Sequence, residues 1–201
     1  MAKPSWLSVS KTSGSGNDTV AVSTAAPHTG RNSRNGTLTF RASGVTDVPI
    51  AINQAGKPEF VTIQSAATVP KTGGNVTITG KSNSSKLTFS LGTGNLTITL
   101  PASYLANSAT TSNGVSIAGD PGASVEYDFS ITLSGIAANS TANEKTKQLV
   151  VTAAGGQTAT CLITQAAGDA TLSVTPTTVN LDWEGTSQNL SVTSNTSWTV
   201  I

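Results

Sequence analysis

The sequence predicts an all-β protein of the sandwich type, on three observations. Thr, Ser, Val, Asn and Gly together make up more than half of the 201 residues while Glu and Lys are scarce, a mixture that favours strands and turns over helices. The hydrophobic residues, 36% of the chain, fall in short runs that alternate with polar ones, the period of a half-buried strand. Gly, Asn, Ser and Pro punctuate the gaps between those runs. Charged residues make up 10% and the formal net charge is +1, so no broad basic field exists to hold nucleic acid or anionic lipid. No stretch approaches the ~18 apolar residues of a membrane-spanning helix.

Taken in order, strands are expected at "WLSVS" (6–10), "TVAVS" (19–23), "GTLTFRA" (36–42) and "VPIAINQ" (48–54), with "SGSGN" (13–17) as a turn. The next set is "FVTIQ" (60–64), "NVTITG" (75–80), "KLTFSL" (86–91), "NLTITLP" (95–101), "SVEYDFSITL" (124–133), "KQLVVTA" (147–153) and "TATCLITQ" (158–165). The last set is "TLSVTP" (171–176), "QNLSVTS" (188–194) and "WTVI" (198–201). Short strands at this spacing predict a sandwich.

The chain also repeats itself. Ile52-Asn53-Gln54-Ala55-Gly56 returns as Ile163-Thr164-Gln165-Ala166-Ala167-Gly168, and "NGTLTFRASG" (35–44) matches "TKQLVVTAAG" (146–155). "VPKTGGNVTITGKSNSSKLTF" (69–89) matches "LDWEGTSQNLSVTSNTSWTV" (181–200), allowing one gap. Residues 57–168 therefore hold both an opening and a closing half of the repeat. Residues 1–56 hold only a closing half, and residues 169–201 only an opening half.

"SNTSWTV", "PSWLSVSKTSGSGNDTVAVS" and "GTLTFRASGVTDVPIAINQAG" resemble successive signatures of BACON domains, immunoglobulin-like β-sandwich modules of Bacteroidetes surface proteins and their phages. The resemblance covers 4–56 and 171–201. It is looser over 57–168, which carries an insertion near 102–122 and has Lys86 where the tail has Trp198. It implies one complete, diverged central module and two complementary half-modules at the termini. Alone, neither half can cover its apolar face or satisfy its sheet edge. The chain's own tail, a neighbour's tail, or further sequence of a longer chain would each complete the head.

Catalytic constellations are poorly represented. His28, in the loop "APHTGRN", is the only histidine, and no G-x-S-x-G elbow accompanies it. Glu126 and Asp128 lie two apart on one strand face, as a glycosidase pair would, but the same spacing describes a solvent-facing polar row beside buried Val125, Tyr127 and Phe129. Asp182 and Glu184 flank Trp183 without the D-x-D-x-D-G spacing of a calcium loop. Cys161, the single cysteine, is expected in the core. No catalytic residue, cofactor or metal is assigned.

Flat aromatic rings stack on sugar faces, and the resemblance implies carbohydrate binding, which makes Trp183 and Tyr104 candidate ligand-contact aromatics. Trp6 and Trp198 stand at family positions expected in the module core or at its junction. The expectation is a non-enzymatic protein, a phage virion component decorating capsid or tail through strand complementation of its terminal half-modules. Its partners would be copies of itself or neighbouring virion proteins, and surface glycans. No apolar signal core follows Lys3, so if Met1 is the natural start the chain is assembled in the cytoplasm rather than exported. The alternative is a carbohydrate- or mucin-binding module of a Bacteroidetes cell-surface or glycan-utilisation protein.

Overall fold

A computed structural model describes residues 3–201; Met1 and Ala2 lie outside the described residues. The chain is all-β: a complete central sandwich with a half-unit on either side.

The head forms two antiparallel pairs. Strand β1 (Leu7–Val9) pairs with β2 (Val22–Thr24), and β3 (Arg34–Phe40) pairs with β4 (Val48–Gln54). The centre supplies β5 (Val61–Ile63), β6 (Ala66–Val69), β7 (Gly74–Ser82), β8 (Leu87–Leu91), β9 (Ser103–Ala106), β10 (Ala109–Ser112), β11 (Tyr127–Ile136), β12 (Lys145–Ala153) and β13 (Thr158–Gln165). These make a five-stranded sheet in the order β10-β9-β11-β7-β5 and a four-stranded sheet in the order β6-β13-β12-β8. β5 lies antiparallel to β7 while β6 runs parallel to β13, so the first segment of the module switches sheets. The tail is one hairpin, β14 (Leu172–Thr175) with β15 (Ser191–Ser194).

Alternation decides the faces. Ile78, Phe129, Ile131 and Leu133 of the first central sheet meet Leu87, Phe89, Leu149, Val151, Cys161 and Ile163 of the second, and all are buried in one cluster. Phe89 meets Phe129 and Tyr104 edge-on, with ring centroids 5.7 and 4.8 Å apart. Every residue of that cluster lies between Val61 and Ile163. Gly80 is required where β7 passes under β11, because a Cβ there would run into the Thr62 carbonyl and the Phe129 ring.

Two expectations are corrected, and the insertion gains strands where none were expected. Residues 95–101 form no ladder, although Leu96 is buried and Ile98 and Leu100 pack against the core. The segment meets β12 at Thr146 and then leaves it: the Asn95 side chain accepts the Thr146 amide (3.0 Å) and the Leu96 amide donates to the Thr146 carbonyl (2.8 Å). The insertion near 102–122 contains the hairpin β9–β10, which extends the five-stranded sheet. Val125 is 51% exposed, because it sits in the turn before β11 starts and so escapes the inward row of Tyr127 and Phe129.

The half-units copy the registers of the centre. Arg34 faces Gln54 and Phe40 faces Val48, as Lys145 faces Gln165 and Val151 faces Ala159 one repeat later. Leu172 faces Ser194 and Val174 faces Val192, as Val61 faces Ser82 and Ile63 faces Gly80.

Candidate functional site

The two half-units expose the side chains whose counterparts are core in the centre. In the head, a cleft of about 610 Å³ is lined by Val9, Val20, Leu38 and Phe40, with Lys3, Lys11, Asp18 and Arg41 also along it. Phe40 is 44% and Ile50 42% exposed, whereas Val151 and Cys161, at the equivalent places of β12 and β13, are fully buried. In the tail, Leu172, Val174, Val179, Leu181 and Leu190 are all open to solvent. Their counterparts Val61, Ala67, Val69 and Ile78 are buried, and Ile63 packs against the core. Among the described residues nothing covers these two sheet faces.

Trp6 lies over β3. The Arg34 guanidinium sits 4.6 Å from its ring centroid, and Gly36 leaves the room that Pro4 and Trp6 occupy. Beside it Leu7 is buried. Trp198 is 48% exposed, and residues 198–201 carry no strand. The central counterpart of that segment is β8, which has β12 as its ladder partner, and the equivalent of β12 is β3 in the head.

The same polar clamp joins head to centre and centre to tail. At the first junction the Asn83 side chain accepts the Phe60 amide (2.9 Å) and donates to the carbonyls of Pro58 (3.3 Å) and Thr29 (3.4 Å), while the Ser82 hydroxyl donates to the Phe60 carbonyl (2.7 Å). At the second, Asn195 accepts the Thr171 amide (2.8 Å) and donates to the carbonyls of Asp169 (2.8 Å) and Ser140 (2.9 Å), and the Ser194 hydroxyl donates to the Thr171 carbonyl (2.8 Å). The backbone repeats it too, Lys57 N to Gly30 O and Gly168 N to Thr141 O. The signal is present in the sequence as the matched triplets Ser82-Asn83-Ser84 and Ser194-Asn195-Thr196. Arg31 adds a tie at the first junction alone, donating to Asn83 O (2.6 Å) and to the Asp120 carboxylate; Ala142 stands at its place in the second.

Three residues singled out for chemistry have structural partners, and a fourth is buried. His28 bonds the Asn32 carbonyl through Nε2 (2.7 Å), where Asn139 holds the Asn143 carbonyl one repeat later (2.8 Å). Glu126 and Asp128 are matched by lysines: Lys57 lies 3.1 Å from Glu126, and Lys81 3.0 Å from Asp128. The Asp128 hydrogen bond holds the Lys81 ammonium above its ordinary pKa. Cys161 is buried, which pushes its thiol pKa up and leaves it a poor nucleophile. Among the described residues no three His, Cys, Asp or Glu side chains gather as a metal site.

The two aromatic candidates separate. Trp183 is 93% exposed at the tip of a turn closed by Gly185 N to Asp182 O, and Thr186 donates both its amide (2.9 Å) and its hydroxyl (2.6 Å) to the Asp182 carboxylate. Those bonds, the hydroxyl first, lower the Asp182 pKa. Tyr104 does not fit a ligand contact: it is 4% exposed, its ring packed on Phe89. The alternation of β9 turns it inward, which its place in an insertion concealed.

Open sheet faces, a repeated junction and one projecting tryptophan are the features of the surface that stand out. Residues 1–55 match the family model of BACON, described as "Putative binding domain, N-terminal". No curated protein matches the chain. Among solved structures, an endo-fucoidan hydrolase of glycoside hydrolase family 107 is similar at 15% identity and a TM-score of 0.36, over 84% of this chain. The chain spans 23% of the length of that hydrolase. A cadmium-bound SporoSAG is similar at 14% identity and a TM-score of 0.22, over 81% of this chain and 71% of its own. Likenesses of that size carry neither fold nor activity across.

Proposed function

We propose that the protein is a non-enzymatic recognition and assembly module that works through its open terminal faces, and that its setting is the surface of a phage particle. The observation that carries this reading is the uncovered apolar face on each half-unit. Exposed apolar surface of this kind marks an interaction site in a protein that stays in solution, and these faces have the residue pattern of a sandwich interior. The BACON match over 1–55, to a family described as binding, supports a binding role. The phage setting follows from the resemblance to modules shared by bacterial surface proteins and phages. Native mass measured over a concentration series tests the assembly part. Masses that climb with concentration are expected; one chain mass up to high micromolar concentration would reject it.

One observation favours a second reading, a glycan-binding module of a bacterial surface protein: Trp183 projects from its turn between two carboxylates. A single ring can stack on a pyranose while the acids accept hydroxyls. Retention on mucin or polysaccharide that Trp183→Ala abolishes, with the native mass unchanged, would support it.

A further inference from the structure

We infer that the Asp120–Pro121 bond is a self-cleavage site: the Asp120 carboxylate attacks its own carbonyl carbon and expels Pro121, and Arg31, paired with that carboxylate, holds the reaction in check. The site lies on the centre and its first junction and is independent of the assembly reading above.

The chain has one Asp–Pro bond, in the insertion turn Gly119-Asp120-Pro121-Gly122. Its backbone is held in an unfavourable shape. Asp120 sits at φ 41° and ψ 64°, a left-handed region that non-glycine residues rarely take, and far from the extended backbone that a following proline favours. Among the described residues, the other non-glycine positions at positive φ are Asn107 and Ser108. They make the β9–β10 hairpin turn, where that shape is the ordinary one. Asp120 has no such reason, and its neighbours impose the shape. Its amide donates to the Ile117 carbonyl (3.1 Å), its carbonyl accepts the Ala123 amide (3.0 Å), and the Ser124 amide closes on the Pro121 carbonyl (3.2 Å). Strain of this kind, held in place by surrounding bonds, collects at reactive sites.

The reacting groups share one residue. Of the two carboxylate oxygens, Oδ2 accepts from Arg31, while Oδ1 is buried without a hydrogen-bond partner. The Ala123 N–H polarises the carbonyl under attack and stabilises the charge that develops on its oxygen. Proline suits the leaving position, because its tertiary amide nitrogen carries no hydrogen and takes up a proton as it departs. Oδ1 bonds to the carbonyl carbon and closes a five-membered cyclic anhydride. The C–N bond breaks, and the Pro121 nitrogen keeps that electron pair and gains a solvent proton. One water then opens the anhydride, leaving two carboxyl groups on Asp120 and a free amine on Pro121. The sum is hydrolysis of one peptide bond. Arg31 opposes it from the head: Nη1 is anchored on the Asn83 carbonyl (2.6 Å) and Nη2 holds Oδ2, which keeps the carboxylate from turning onto its own carbonyl. Scission would free the turn on which the head rests, because Gly122 and Ala123 supply the carbonyls that the Arg31 and Asn32 amides donate to (2.8 and 2.9 Å). The two pieces would stay together through the β11–β7 ladder.

The test holds the full chain in mildly acid and in neutral buffer for several days, well below its thermal midpoint, and reads it by denaturing electrophoresis and intact mass. The charged and titratable groups within reach of the carboxylate are Arg31 of the head and the Tyr127 hydroxyl of β11; the Asn83-Ser84 segment carries none. Burial raises the Tyr127 pKa, so that hydroxyl stays neutral throughout. Acid then acts by protonating the departing nitrogen, and cleavage should be faster there than at neutral pH. The fragments should end at Asp120 and begin at Pro121, with the native mass at fixed concentration unchanged. Asp120→Asn and Pro121→Ala should stay whole. Arg31→Ala should speed scission roughly tenfold, the worth of one hydrogen bond to a charged group, and Arg31→Lys should restore part of the restraint. Asn83→Ala loosens the same junction yet keeps the Arg31–Asp120 pair, and should not speed it. No break at 120–121 in any form, or a break that persists in Asp120→Asn, would overturn self-cleavage. An Arg31→Ala rate at or below that of the unaltered chain, or one that Asn83→Ala matches, would overturn the restraint by Arg31.

Discussion

Asn83 is the side chain on which the first junction turns. It is fully buried and serves the amide of Phe60 together with the carbonyls of Lys57, Pro58 and Thr29. A buried group that loses its partner costs about 1–3 kcal/mol, so Asn83→Ala should lower the thermal midpoint of the centre by several degrees, read by circular dichroism. Asn195 makes the matching bonds at an accessible site. Water can replace it there, and Asn195→Ala should leave the midpoint within about a degree. Equal destabilisation by the two variants would contradict the difference in burial that the argument uses.

At the scale of elements, strands set between clear turn residues are the ones legible in the sequence, whether they have one ladder neighbour, as β4 does, or two, as β13 does. "VPIAINQ" was read at its true ends, Val48–Gln54, and "TATCLITQ" at Thr158–Gln165, since both alternate cleanly between turn residues. The misses share a cause: alternation reports which side chains are covered, not whether the backbone is paired. Residues 95–101 alternate and yet run free, while β6, β9 and β10 are four-residue strands hidden among small residues. Of the candidate site, the open faces were foreseeable from the repeat, but the inward turn of Tyr104 depends on how the insertion hairpin joins β11, at Phe129 opposite Ala106. The core closes within 57–168, which gives a direct expectation. That span expressed alone should unfold cooperatively with heat; a broad, non-cooperative melt would mean the head or tail contributes to its stability beyond the junction contacts.

For the whole molecule, the balance of forces at the faces decides how solution conditions act. With a net charge of +1 and charged residues at 10%, long-range repulsion between copies is small, and on the proposed assembly reading apolar burial would dominate any contact. Association should therefore change little between low and physiological salt and strengthen in sulfate, which favours burial by being excluded from protein surface. Dissociation by moderate sodium chloride would point instead to ion pairs such as those along the head cleft. The placement of head and tail at opposite poles of the centre has a consequence of its own. The two junctions sit at either end of β7, so a pull applied between head and tail runs along that strand and loads its ladders with β11 and β5 in shear, where many hydrogen bonds must yield together.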